Sequence, residues 1–255
     1  MEITGKSFIV TGAASGLGEA TARMIVSRGG SVVIADINPK GAEVAAQLGH
    51  NNAVFVATDV TQESDGVRAI ETAKAHFGDV HGLVNCAGVA PGERIVGRNG
   101  PHALETFARA ISINLVGTFN MLRLAAAAMT TNSPMADGER GIIVNTASVA
   151  AFEGQIGQAA YAASKAGVAG LTLPAARELA RFGIRVVTIA PGLFMTPMMS
   201  GFSTEVQQSL ADTTLFPKRL GKPEEFAELV AAIIAQPMLN GETIRLDGAL
   251  RMAPK

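Results

Sequence analysis

The sequence predicts a single α/β domain over residues 1–255, in which helices cover both faces of a doubly wound parallel sheet of about seven strands. Three observations carry this expectation. Short β-branched runs alternate with longer amphipathic stretches from end to end, as in a sheet whose strands are joined by helical crossovers. The strand candidates are near-continuous apolar runs, as required when both sheet faces are covered. No linker, repeat or low-complexity tract divides the chain.

The elements follow in order. "KSFIVT" (6–11) supplies the first strand and runs directly into a glycine-rich turn before a helical stretch near 17–28. "SVVIA" (31–35) is the second strand, and "DINP" after it reads as a turn, with Asn38 capping a helix that starts at Pro39 and ends near 48. "AVFVA" (53–57) leads to a helix near 62–76, and "VHGLVN" (80–85) leads to a long one over 102–129. "GIIVNT" (141–146) precedes a helix over 158–181, in which Pro174 is expected to kink the chain. "IRVVTI" (184–189), a helix near 223–236 and "ETIRL" (242–246) complete the pattern. Two polar insertions with Gly and Pro, 91–101 and 130–140, read as mobile surface loops.

Composition narrows the function. The chain is 48% hydrophobic with 28 glycines, which suits a well-buried core with many tight turns. A net charge of −1 without a basic block leaves nothing to track a nucleic-acid backbone or an anionic membrane. No apolar run approaches the roughly 18 residues of a membrane span. The apolar "SFIVTG" begins at Ser7, so no targeting segment is expected. One cysteine excludes an internal disulfide and a cysteine-rich zinc site, and the expectation is a soluble cytoplasmic protein. The four histidines (50, 76, 81 and 102) show no metal-ligand spacing.

The turn after the first strand, "TGAASGLGEA", places glycines at 12, 16 and 18. A tight turn of this kind lets backbone N–H groups and a helix N-terminus approach a pyrophosphate, so Gly12, Ser15, Gly16, Leu17 and Gly18 are candidate cofactor contacts. An ordinary glycine turn has the same appearance. Asp36 strengthens the cofactor reading. It closes the second strand about 20 residues beyond the loop, where a carboxylate can bind adenosine ribose hydroxyls. A carboxylate there repels a 2′-phosphate, and no Arg or Lys lies in 12–18 or 36–39 to welcome one, so NAD is expected over NADP. Asp59 and Val60 end the third strand and are placed to frame the adenine, although Asp59 reads equally as a helix cap. Cys86, Ala87 and Gly88 in "NCAG" close the fourth strand at the same sheet edge. The apolar setting of Cys86 marks it as a small inert residue rather than a nucleophile.

The only tyrosine, Tyr161, has Lys165 four positions later, so on a helix the two share one face. A phenol with a pKa of about 10 is a poor base at neutral pH, and lowering it by about 3 units takes about 4 kcal/mol of phenolate stabilisation. A neighbouring ammonium, reinforced by a positive nicotinamide, can supply much of this. Ser148, at the end of the fifth strand, offers a hydroxyl to hold a substrate oxygen.

At this point the quoted segments, with Asn114 in "SINLVG", "NTAS", "YAASK", "APGLFMTP", "RLGKPEE" and "NGETIRLDGA", resemble the short-chain dehydrogenase/reductase superfamily in order and spacing. The likeness covers about residues 6–252 and implies a Rossmann-type fold. "AFEGQIGQAAYAASK", "TIAPGLFMTP" and "GETIRLDGALRM" are similar to the 3-hydroxyacyl-CoA dehydrogenase type II (17β-hydroxysteroid dehydrogenase type 10) branch, whose extra loop matches 130–140. "NCAG" replaces the usual N-N-A-G and "DGA" the usual D-G-G. The resemblance implies that Tyr161 is the general acid/base, that Lys165 lowers its pKa and binds the nicotinamide ribose, that Ser148 orients the substrate oxygen, and that Asn114 positions a water in a proton relay. Pro191, Gly192, Leu193, Phe194 and Thr196 would then lie against the nicotinamide.

The expected activity is therefore NAD-dependent oxidation of 3-hydroxyacyl-CoA or hydroxysteroids. The alternatives are a sugar or small polar alcohol as substrate, or a non-catalytic NAD-binding protein. Phe194, Met195, Met198, Met199 and Phe202 cluster beyond the nicotinamide position and favour an apolar substrate. Lys218, Arg219 and Lys222 are read as a solvated charge cluster that could also meet CoA phosphates. Ala-rich helices at 102–129 and 158–181 offer small faces for helix packing, and the resemblance implies a homotetramer.

Overall fold

The computed structural model describes residues 1–254 apart from Asn99 and Phe202, and apart from the side chains of Met198 and Ser200. Seven parallel strands form one sheet in the order β3-β2-β1-β4-β7-β8-β9. They are β1 Ser7–Thr11, β2 Ser31–Asp36, β3 Ala53–Ala57, β4 Gly82–Asn85, β7 Gly141–Thr146, β8 Ile184–Pro191 and β9 Thr243–Leu246. Parallel neighbours need crossovers. These are α1 Gly16–Ser27, α2 Gly41–Leu48, α3 Glu63–Phe77, the pair α4 Leu104–Ile111 and α5 Gly117–Met129, α6 Ala159–Leu179 and α9 Pro223–Ala235. The doubly wound single domain expected from the sequence is the one observed.

The strands are apolar throughout because alternate residues enter different cores. Phe8, Val10, Ile34, Val144 and Val187 pack with α1 and α9 on one face. Ile9, Val33, Ile143 and Val186 pack with Met121 and Met129 of α5 on the other. Each such side chain taken fully from water contributes about 1.5–3 kcal/mol.

Several local expectations change. The helix after "DINP" starts at Gly41 rather than Pro39, because Asn38 closes a turn, accepting the Lys40 N–H at 3.1 Å. Helix α6 is continuous through Pro174, which is solvent-exposed, so the carbonyl it leaves without an intrahelical partner faces water. Segment 91–101 contains a small antiparallel pair, β5 Val96–Gly97 and β6 Gly100–Pro101, and is pinned by the Glu93 N–H donating to Gly157 O at 2.8 Å. Segment 130–140 is also tied down. Asn132 Nδ2 donates to Val80 O at 2.7 Å, and Glu139 forms a buried ion pair with Arg185 at 2.8 Å. Two short helices unforeseen in the sequence, α7 Pro197–Ser200 and α8 Thr204–Ala211, follow β8. The composite helix Leu104–Met129 is, by length and composition, apolar enough to cross a membrane, contrary to the sequence reading, and half of its apolar window is buried inside the fold.

Candidate active site

All the crossovers leave the sheet at its carboxyl edge, and a cavity of about 910 Å³ opens there between the loops after β1, β2, β4, β7 and β8. Gly12, Ser15, Gly16, Leu17 and Gly18 line one end with Asp36, Asp59 and Val60. Glycine is required in this loop. Gly12 has φ +65° and a Cβ there would lie 2.8 Å from the Ala87 backbone, while one at Gly18 would lie 2.3 Å from Gly12 O. The loop thus lies directly against "NCAG" and the first turn of α1, with that helix N-terminus facing the cavity.

Asp36 holds this arrangement together. Its Oδ2 accepts the Ala14 N–H at 2.9 Å and its Oδ1 the Asn38 N–H at 2.8 Å. Asp59 reaches the cavity but does not cap α3, whose N-cap position is Gln62. Its Oδ1 accepts the Thr61 N–H at 2.9 Å ahead of α3. Thr11 fixes "NCAG" from below, its Oγ1 accepting the N–H groups of Cys86 at 3.2 Å and Ala87 at 3.1 Å.

The other end of the cavity holds Ser148, Tyr161 and Lys165. Ser148 caps a short 3₁₀ turn after β7, its Oγ accepting the Ala150 N–H at 3.1 Å, and it shares the cavity lining with Tyr161. Lys165 is buried and donates from Nζ to Thr146 O at 2.7 Å. Burial draws Lys165 down to about 8, against a smaller opposing effect of Cys86. Tyr161 departs from the sequence expectation. Burial pushes its phenol above the ordinary value, and the Ser148 hydroxyl only partly offsets this. The lysine does not reverse that shift, because its ammonium is directed at Thr146 O and stands 6.0 Å from the Tyr161 ring centroid. Cys86, Ala87 and Gly88 line the middle of the cavity, and burial pushes the Cys86 thiol up to about 12, which suits an inert wall residue.

Asn114 lies outside the cavity lining. It sits fully buried in a single π-helical turn, Ser112–Val116, inserted between α4 and α5. Its Oδ1 accepts the Val89 N–H at 2.8 Å, and its Nδ2 donates to Val89 O and to Ser164 Oγ, both at 2.9 Å. With its amide so occupied, Asn114 fastens the "NCAG" loop to the catalytic helix rather than presenting a side chain to the site.

At the end of β8 and just beyond it, Pro191, Gly192, Leu193, Phe194 and Thr196 line the cavity, joined by Met199. Met195 instead faces solvent and is 40% exposed. Phe202 and the Met198 side chain lie outside the described residues. Arg219 is committed to a two-pronged ion pair with Glu225 (2.6 and 2.8 Å), and none of Lys218, Arg219 and Lys222 lines the cavity. The Arg219 ion pair agrees with the reading of this cluster as solvated surface charge. Gln158, Arg109, Ile113 and Met252 line the cavity and were missed from the sequence. Only Gln158, one helical turn before Tyr161, left a signal there.

The site agrees with comparison to known proteins. The chain matches the short chain dehydrogenase family over residues 6–207. It is 56% identical over 249 residues to 3-hydroxyacyl-CoA dehydrogenase type-2 of Drosophila melanogaster, covering 96% of this chain and 97% of that one. It is 52% identical over 254 residues to the human protein of the same name, covering 99% and 97%. The crystal structure of 3-hydroxyacyl-CoA dehydrogenase type-2 from Mycobacterium avium superposes with a TM-score of 0.95 at 47% identity, covering 98% of each chain. A seven-stranded parallel sheet, a glycine-lined cavity at its carboxyl edge, a Ser148–Tyr161–Lys165 group inside it and full-length likeness converge on one assignment: the chain belongs to the short-chain dehydrogenase family of NAD(P)-dependent oxidoreductases and acts on a small-molecule substrate.

Proposed function

We propose that this chain is an NAD-dependent dehydrogenase interconverting 3-hydroxyacyl-CoA and 3-ketoacyl-CoA. The observation that carries the reading is one continuous cavity with the Ser148–Tyr161–Lys165 group at one end and the glycine loop with Asp36 at the other. The names of the 50–56% identical relatives support the acyl-CoA substrate. The apolar wall from Leu193, Phe194 and Met199 supports an apolar rather than a sugar-like substrate.

The residues at the Asp36 end fit NAD. Backbone N–H groups at the start of α1 suit a pyrophosphate. Asp36 suits ribose hydroxyls, and no Lys or Arg among the lining residues of the glycine loop or β2 offers a partner to a 2′-phosphate. When bound, NAD supplies the hydride-accepting ring and a local positive charge. The chain does the rest. Ser148 and Tyr161 hold the substrate oxygen between two hydroxyls. In reduction, Tyr161 gives its phenolic proton to the carbonyl oxygen, and the elevated phenol guarantees that the proton is there at neutral pH. In oxidation the same oxygen takes the proton back, and Lys165, charged below about 8, favours the phenolate. The apolar cavity wall keeps water from the reacting atoms.

Assembly and location extend the proposal. Leu104 on α4, Val116 in the π-helical turn, Phe119 on α5 and Leu173 on α6 are exposed apolar residues suited to a homotetramer interface. A lone, inert cysteine suits the reducing cytoplasm.

The test is NADH formation across 3-hydroxyacyl-CoA, hydroxysteroid and sugar alcohols. Preference for the sugar alcohol, or indifference to acyl length, would sink the substrate assignment and leave the dehydrogenase chemistry standing.

A further inference from the structure

The chain segment after β9 folds back onto the connection between Ser148 and Tyr161. Its turn is made by Ala249, a non-glycine residue held at φ +62°. Such a conformation persists only where the surroundings over-determine it. Here Asp247 Oδ1 accepts the Ala249 N–H at 3.0 Å, and Arg245 donates from Nη2 to Leu250 O at 2.9 Å. The segment then runs beside residues 153–156. The Met252 N–H donates to Glu153 Oε2 at 2.9 Å, Gln155 Nε2 donates to Ala253 O at 2.9 Å, and the Ile156 N–H donates to Pro254 O at 3.0 Å. Glu153 is the centre of this junction. It also pairs with Arg245 at 2.9 Å and with Arg251 at 3.4 Å. Burial works against its charge, but hydrogen bonds from Arg245 and the Met252 N–H, with the Arg245 and Arg251 charges, hold its carboxyl below the usual range. The product of these contacts is a half-buried Met252 side chain in the cavity wall, carried on a segment bonded to residues 153–156 between Ser148 and Tyr161.

We infer that Met252, carried by the 249–254 segment, forms part of the wall at the substrate end of the cavity as a specificity-determining residue, with Glu153 as the positioning residue that holds it in place. The inference rests on the proposed function only in taking the Ser148–Tyr161 end as the place where substrate enters. A thioether side chain at this point adapts to alkyl groups of different shape. Substrates long enough to reach it gain contact, and shorter ones do not.

The experiment compares kcat/KM over a 3-hydroxyacyl-CoA length series for the full chain and its variants, alongside NADH affinity measured by fluorescence titration. Met252→Ala should lose little on the shortest substrate and roughly five- to tenfold on those that reach the wall, since each buried methylene is worth about fourfold in binding. The loss should lie in KM rather than kcat, and Met252→Leu should restore most of it. Glu153→Gln should reproduce the length-dependent loss, and adding it to Met252→Ala should cause little further change, because both act through one contact. NADH affinity should stay within twofold throughout. A loss independent of length, a shift in NADH affinity, or additive losses in the double variant would overturn the inference. If the parent oxidises no acyl-CoA, the proposed substrate fails. The same variants are then scored on the size series of secondary alcohols that the parent does oxidise, with the same refuting outcomes.

Discussion

Replacing Asp36 by alanine tests the coenzyme argument most directly. The carboxylate has two roles that the structure separates. It binds the N–H groups of Ala14 and Asn38, and it faces the cavity where the ribose of NAD would lie. Removing it costs stability through the two backbone bonds. A charge-assisted bond is worth about 1.5–3 kcal/mol when buried. Asp36 is half-exposed and water can replace it, so the total loss is about 2 kcal/mol. The coenzyme effect is larger and has a definite sign. Two like charges about 4 Å apart repel by about 1 kcal/mol in bulk water and about 4 kcal/mol in a surface cleft. The parent should therefore prefer NAD over NADP by at least about 100-fold, and Asp36→Ala should narrow that ratio about 30- to 100-fold, at 1.4 kcal/mol per decade. The assay is kcat/KM for each coenzyme at a saturating secondary alcohol, with thermal melting alongside to confirm folding. Equal use of both coenzymes by the parent, or a ratio that moves less than threefold in a folded Asp36→Ala variant, would falsify the carboxylate argument.

Three further outcomes are expected. Tyr161→Phe should abolish turnover while NADH affinity, read by fluorescence, stays within a few-fold, and activity at a tenth of the parent would remove Tyr161 from proton transfer. Burial holds Lys165 at about 8 against an ordinary 10.5, so between these pH values the unfolded chain binds the extra proton and the folded state gains as pH rises. Relative to Lys165→Met, the parent should become more stable by about 3 kcal/mol from pH 8 to 10.5 and show no trend below about pH 7, read from denaturant midpoints; a difference constant with pH contradicts the burial argument. Arg185 joins Glu139 to the carbonyls of Ile233, Ile234, Gln236 and Leu239 at the end of α9. Arg185→Met should therefore cost about 3–5 kcal/mol, lowering Tm by roughly 10 °C or more, and a Tm within about 2 °C of the parent would show that the buried pair stabilises nothing.

The features legible in the amino-acid order are local or periodic. Apolar runs such as 31–35 and 141–146 are long enough only for strands buried on both faces, and their alternation with amphipathic stretches imposes a parallel sheet. The positions of Gly12, Asp36, Ser148, Tyr161 and Lys165 follow, because each lies at a strand end or on one helix face and the carboxyl edge gathers them. Tertiary structure decided whatever depends on contacts distant along the chain. The π-helical turn at Ser112–Val116 exists where Asn114 meets Val89 and Ser164, and no periodicity announces it. The loops at 91–101 and 130–140 read as mobile because their anchors, Gly157 and Arg185, lie far along the chain, the second 46 residues from Glu139. The ionisation of Tyr161 turned on how deeply the fold buries it, which the Lys165 spacing does not encode. Met252 lines the cavity on a segment held by Glu153, 99 positions earlier, and by its neighbours Gln155 and Ile156. Hydrophobic spacing reports which face of an element is buried, whereas side-chain partners and the dielectric around a charge are set only once the elements have packed.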